Sequence, residues 1–83
     1  MNKSAREMFE ELGYKQDLDY DENHYLNFTT GGVICNEIEF DLHTKEVSVW
    51  RWDGSLVTIF AHPLSMQELQ AINKMIEELG WNE

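Results

Sequence analysis

Cysteine, proline and positive charge are all scarce in this chain: one Cys, one Pro and six Lys or Arg in 83 residues. The single cysteine, Cys35, cannot form an intramolecular disulfide, so no covalent framework makes up for a small core. Six basic against sixteen acidic residues give a formal charge of −10. That balance repels phosphate and excludes ordinary binding to nucleic acid or to an anionic membrane, leaving a basic protein as the electrostatic alternative. No apolar run approaches the roughly 18 residues of a membrane span. The first residues, Met1 to Ser4, lead into a helix without an apolar signal region, so the expected compartment is the cytoplasm.

What is present suffices for a folded chain. Hydrophobic residues make up 42% and include four Phe, three Trp and three Tyr, enough for a packed interior rather than a disordered tail. The length predicts one domain, burying about 60 to 65% of the surface exposed by the unfolded chain.

The boundaries of two helices are written by the same devices. Ser4 with Glu7, and Ser65 with Glu68, have the spacing of a capping box. Glu-Leu-Gly-aromatic closes both segments, as Glu11, Leu12, Gly13, Tyr14 and as Glu78, Leu79, Gly80, Trp81, with the glycine in the left-handed conformation that ends a helix. Ala5, Met8, Phe9 and Leu12 form the apolar stripe of the first helix. In the second, Met66 to Leu79, the expected stripe is Leu69, Ile72, Ile76 and Leu79, flanked by Ala71 and Met75. Leu64 is placed to staple onto Leu69.

Between the helices the pattern changes to strands. Asp17 to Asn23 reads as a solvated acidic loop. Tyr25 to Thr30, Val33 to Leu42, Glu46 to Trp52 and Ser55 to Ala61 read as four strands, joined by Gly31-Gly32, by His43, Thr44 and Lys45, and by the two-residue turn Asp53-Gly54. Pro63 ends the last. A loop at 42 to 45 sets Phe40 opposite Val47, which puts Val47, Val49, Leu56 and Phe60 on the core face. Trp50, Trp52, Val57 and Ile59 then share the other face with Glu37 and Glu39. A two-residue loop at Gly31-Gly32 turns Leu26 and Phe28 to the tryptophan face, and a three-residue loop with a bulge turns them to the core. The expected fold is α+β in the order α-β-β-β-β-α, a four-stranded antiparallel meander with both terminal helices on one face; helices on both faces is the alternative.

The chemistry sought is mostly missing. Asp17, Asp19 and Asp21 match the first, third and fifth positions of a calcium loop, but the sixth position is Glu22 instead of Gly and the twelfth is Phe28 instead of Glu. His24, His43, His62 and Cys35 recur at no metal-ligand interval, and Cys35 reads as a small hydrophobe within a sheet. No phosphate-binding loop and no nucleophile motif occurs, and the glycines are accounted for as turns and caps. The expectation is a non-enzyme without metal or cofactor; a small hydrolase or metal protein is the least favoured reading.

Two features are candidates for function. Trp50, Trp52, Val57 and Ile59 form an aromatic patch of the kind that anchors protein interfaces, whether with another protein or with a second copy of the chain; the competing reading is that the patch is covered and is core. Glu37, Glu39 and Asp41 form a carboxylate row beside Asp17, Asp19 and Asp21. Such a row imitates a DNA strand in an acidic inhibitor of a nucleic-acid-binding protein, or is a solvated sheet face. The two end segments, Ser4 to Tyr14 and Glu68 to Trp81, resemble small uncharacterised proteins encoded by phages and prophages of Gram-positive bacteria. The resemblance implies an accessory protein acting inside a bacterial cell, and it brings no catalytic residues with it.

Overall fold

In a computed structural model, residues 3–18, 21–32, 34–53, 58–60 and 63–81 are described. They fall into two units, Met1–Gly13 with Pro63–Glu83, and Tyr14–His62.

The first unit is a pair of helices, α1 (Ala5–Glu11) and α2 (Met66–Glu78). Both capping boxes form. The Ser4 hydroxyl accepts from the Glu7 amide at 3.2 Å while the Ser4 amide donates to the Glu7 carboxylate at 3.0 Å; for Ser65 and Glu68 the two distances are 3.0 and 2.8 Å. Four helix-end donors that would otherwise lack partners are thereby satisfied. The stops also form. Gly80 (φ +74°) follows α2, and Trp81 N–H donates to Ile76 C=O while Gly80 N–H donates to Glu77 C=O, both at 3.1 Å. That is the paired closure of a Schellman motif. Gly13 (φ +90°) ends α1 with its N–H on Glu10 C=O.

The Ala5 amide, at the start of α1, donates to Glu78 Oε2 at the end of α2 at 2.8 Å, so the helices run antiparallel and the positive end of α1 meets a carboxylate. Ala5, Phe9, Ala71, Ile72 and Met75 are buried. This corrects the expected stripe of α2. Leu69 is 41% exposed and Ile76 only half-buried, because the buried line runs through Ala71 and Met75, where a small residue and a flexible one fit a close approach.

The second unit is an antiparallel sheet whose strands follow chain order: β1 (Lys15–Asp17), β2 (Tyr25–Thr29), β3 (Ile34–Asp41), β4 (Glu46–Asp53) and β5 (Thr58–Phe60). The four expected strands are present in the expected order. A fifth precedes them, since Lys15, Gln16 and Asp17 pair with Thr29, Phe28 and Asn27. Asp17 therefore belongs to a strand and not to the acidic loop; three residues carry too little alternation for a strand to be read from them.

Register decides the rest. Leu26 opposes Phe40 and Phe28 opposes Ile38, which places Leu26 and Phe28 on the core face with Val47 and Val49. All four of Leu26, Phe28, Ile38 and Phe40 are buried. Phe28 and Phe40 meet edge to face at 6.2 Å, the geometry that ring quadrupoles favour. Phe40 opposes Val47 as expected. The last hairpin differs: Asp53 pairs with Thr58 and Trp52 with Ile59, not with Ser55. Residues 54–57, Val57 and Leu56 among them, lie outside the described residues. The shift moves β5 by an even number of positions, so Ile59 stays on the tryptophan face and Phe60 on the core face.

Candidate protein-interaction face

The face of the sheet opposite Leu26, Phe28, Ile38 and Phe40 carries every candidate residue that lies on a described strand. Alternation places Lys15 and Asp17 of β1 there, with Tyr25, Asn27 and Thr29 of β2 and Cys35, Glu37, Glu39 and Asp41 of β3. Glu46, Ser48, Trp50 and Trp52 of β4 and Ile59 of β5 complete it. Five carboxylates and one lysine share this surface. Trp50 lies directly across from Glu37, and Trp52 lies between Cys35 and Ile59 in backbone register. The expected neighbourhood of tryptophans and glutamates is thus present; Trp50 and Cys35 are both half-buried.

At the centre of this face the acidic row is not the solvated surface expected of it. Asn27 is 1% exposed and Glu37 is 2% exposed. Asn27 Nδ2 donates to Glu37 Oε2 at 2.6 Å and to Glu39 Oε1 at 3.2 Å. One amide thus bridges two acidic side chains and supplies a hydrogen-bond donor to the buried one. Asn27 Oδ1 is buried without a hydrogen-bond partner among the described residues. No sequence rule points to Asn27 as the hub, because its role depends on a register that the Gly31-Gly32 loop left open.

Asp41 and Asp21 hold turns. Asp41 Oδ1 accepts from the amides of His43 at 2.9 Å and Thr44 at 3.1 Å. The Thr44 amide, and then the His43 amide, keep the Asp41 carboxyl below its ordinary value. The same turn puts Lys45 at φ +61° with its N–H on Asp41 C=O. Asp21 Oδ1 accepts from the Asn23 amide at 2.9 Å, and Asp21 C=O takes the amides of His24 and Tyr25. Of the three calcium-loop candidates, Asp17 lies on a strand, Asp21 Oδ1 serves its own turn, and Asp19 is outside the described residues. Among the described residues no group of three or more His, Cys, Asp and Glu is placed to hold a metal ion.

Two further features emerge that the sequence did not suggest. Leu42 N–H donates to His24 C=O at 2.8 Å, and this pairing brings the ring of His24 to 6.2 Å from that of His43. In the helical unit, an open groove of about 420 Å³ is lined by Lys3, Met8, Leu12, Gln67, Gln70 and Lys74, with Glu11 paired to Lys3.

No protein-family model, curated protein or solved structure matches the chain. No helix among the described residues is long and apolar enough to cross a membrane.

Proposed function

We propose that this chain is a non-enzymatic binding module that engages a basic protein through the tryptophan-bearing face of its sheet. The observation that carries the reading is the shared face itself: Trp50 and Trp52 on the same side of the sheet as Glu39 and Asp41, with Asp17 and Glu46 flanking. The half-buried Trp50 side chain supplies contact area at low entropic cost, and surrounding carboxylates attract a cationic partner and repel others.

The same charge distribution separates this reading from its rivals. Two copies of the face brought together would set five carboxylates against five, which weighs against a homodimer through Trp50, Trp52, Val57 and Ile59. Mimicry of DNA by Glu37, Glu39 and Asp41 needs a displayed row. Glu37 is buried, so the row is interrupted at its first charge and is not the continuous display that mimicry needs.

Affinity capture from the host cell tests the proposal, with the double variant Trp50→Ala, Trp52→Ala and the variant Glu39→Lys as controls. A bound protein of basic composition, lost with either variant and released as salt rises, is the expected result. Capture that survives both variants at high salt would exclude this face. Sedimentation showing a dimer that the tryptophan variant dissociates would replace the basic partner with a second copy of the chain.

A further inference from the structure

We propose that His24 and His43 form a chelating site for one divalent transition-metal ion. The two residues are nineteen positions apart in the sequence, and register joins them. His24 immediately precedes β2, and His43 lies two positions beyond the end of β3. Tyr25 opposes Asp41, and Leu42 N–H donates to His24 C=O, so the imidazoles emerge from adjacent strand ends.

Both backbones are held. Asp21 C=O accepts from the His24 amide at 2.9 Å, and Asp41 Oδ1 accepts from the His43 amide at 2.9 Å. Both residues are exposed, so an ion reaches them from solvent and the side chains are able to rotate. In a chain of charge −10, cations are concentrated at the surface.

The spacing fits chelation. A metal–nitrogen bond of about 2.1 Å plus a ring radius of about 1.1 Å puts each ring centroid about 3.2 Å from the ion. Two rings on one ion are then roughly 4.5 Å apart at a right angle, about 5.2 Å at the tetrahedral angle and about 6.4 Å when opposed. The observed 6.2 Å lies inside that range at its wide end. Closing to the tetrahedral separation needs about 1 Å, within reach of rotation about the exposed side-chain bonds.

Asp21 adds an orienting group. Its Oδ2 lies 3.6 Å from His24 Nε2, which a small ring movement converts to a hydrogen bond. A carboxylate on one imidazole nitrogen fixes the ring and raises the basicity of the other. The site is bidentate, consistent with the lack of any three-ligand group among the described residues; water completes the coordination. Imidazole donors select Cu²⁺, Ni²⁺ and Zn²⁺ over Ca²⁺ and Mg²⁺.

Calorimetric titration with Ni²⁺, located by line broadening in ¹H–¹⁵N spectra, tests the site. One equivalent is expected to bind, with broadening confined first to residues 21–25 and 41–45. Cu²⁺ should bind more tightly than Ni²⁺, and a large excess of Ca²⁺ should displace neither. His24→Ala and His43→Ala should each lower affinity at least tenfold, Asp21→Asn about tenfold, and His62→Ala not at all. Circular dichroism confirms that each variant is folded, with His24→Gln and His43→Gln as milder replacements. If either single-histidine variant binds Ni²⁺ as tightly as the parent, or if Ca²⁺ displaces it, the two-histidine site is refuted and the acidic loop is the locus.

Discussion

Replacing Asn27 with Leu should destabilise the chain by about 2 kcal/mol, and the figure follows from the contacts of its amide. Asn27 Nδ2 gives one hydrogen to a buried carboxylate at 2.6 Å and the other to Glu39, half-buried, at 3.2 Å. A hydrogen bond to a buried charge contributes about 1.5 to 3 kcal/mol, and the longer, partly solvated one about 0.5 kcal/mol. Removing Oδ1, which is buried without a partner, returns roughly 1 kcal/mol because its desolvation no longer has to be met. Leu shares the branching of Asn but is larger, so no cavity is left and overpacking adds to the loss rather than reducing it. A loss of about 2 kcal/mol lowers Tm by roughly 8 to 16 °C in a chain of this size. Urea denaturation measures it, with an unchanged slope showing that both states keep their exposed surface.

A double-mutant cycle isolates the contact from the substitution. Asn27→Leu and Glu37→Leu together should cost at least 1 kcal/mol less than the sum of the two alone, since the Asn27–Glu37 hydrogen bond is lost in both single variants but counts only once in the double variant. Additive costs, or an Asn27→Leu loss below about 0.5 kcal/mol, would show that the amide does not hold the buried glutamate, and the description of this face would have to be abandoned.

Acid should expose two of the backbone-held carboxylates. The Ser4 amide, and then its hydroxyl, keep the Glu7 carboxyl below its ordinary 4.5, and the Thr44 and His43 amides keep that of Asp41 below 3.8. A depressed folded value means stability that is present above the ordinary value and is lost as pH falls through the folded one. The deficit in Tm of Glu7→Gln or Asp41→Asn relative to the parent should therefore be largest near neutrality and shrink below about pH 4; a deficit independent of pH would contradict the assignment. Gly13→Ala should cost about 1 kcal/mol, because Gly13 sits at φ +90° with open space around a would-be Cβ, so only backbone strain is at issue. Gly13→Asn should cost less, and thermal melts that rank the two the other way would remove the left-handed stop as the cause.

The helix ends were legible because their causes are local. A capping box spans four residues and a Schellman stop six, so Ser4, Glu7, Ser65, Glu68 and Gly80 carry their meaning wherever the rest of the chain goes. Phe40 opposite Val47 was legible for a similar reason, as a short turn fixed it. The strands were harder wherever a loop length controlled parity. Gly31-Gly32 advertised a tight turn, yet Thr30 N–H reaches Asn36 C=O, and the longer connection turns Leu26 and Phe28 inward. Asp53-Gly54 carried an equally strong local signal that the Asp53 to Thr58 pairing overrides. The hub at Asn27 was illegible because asparagine is ordinarily a turn or surface residue. Only the completed register of β2 against β3 places it between Glu37 and Glu39.

That placement bears on what the face can do. Asp41 lies directly opposite Glu46 in the β3–β4 ladder, a like-charge pair that destabilises a sheet. Asp17 lies opposite Asn27, and Glu39 lies on its other side, so the neutral amide separates carboxylates that would otherwise be adjacent. Among the described residues, repulsion inside the face is relieved at Asn27 and along the turn amides that hold Asp41. At its rim, Lys15 is the one base among the described strand residues of that side. A surface so arranged gains from an external cation and loses from an external anion. The like-charge contact of Asp41 with Glu46, near Glu39, is what a basic partner would discharge on binding, with Trp50 supplying the contact that charge alone cannot make specific.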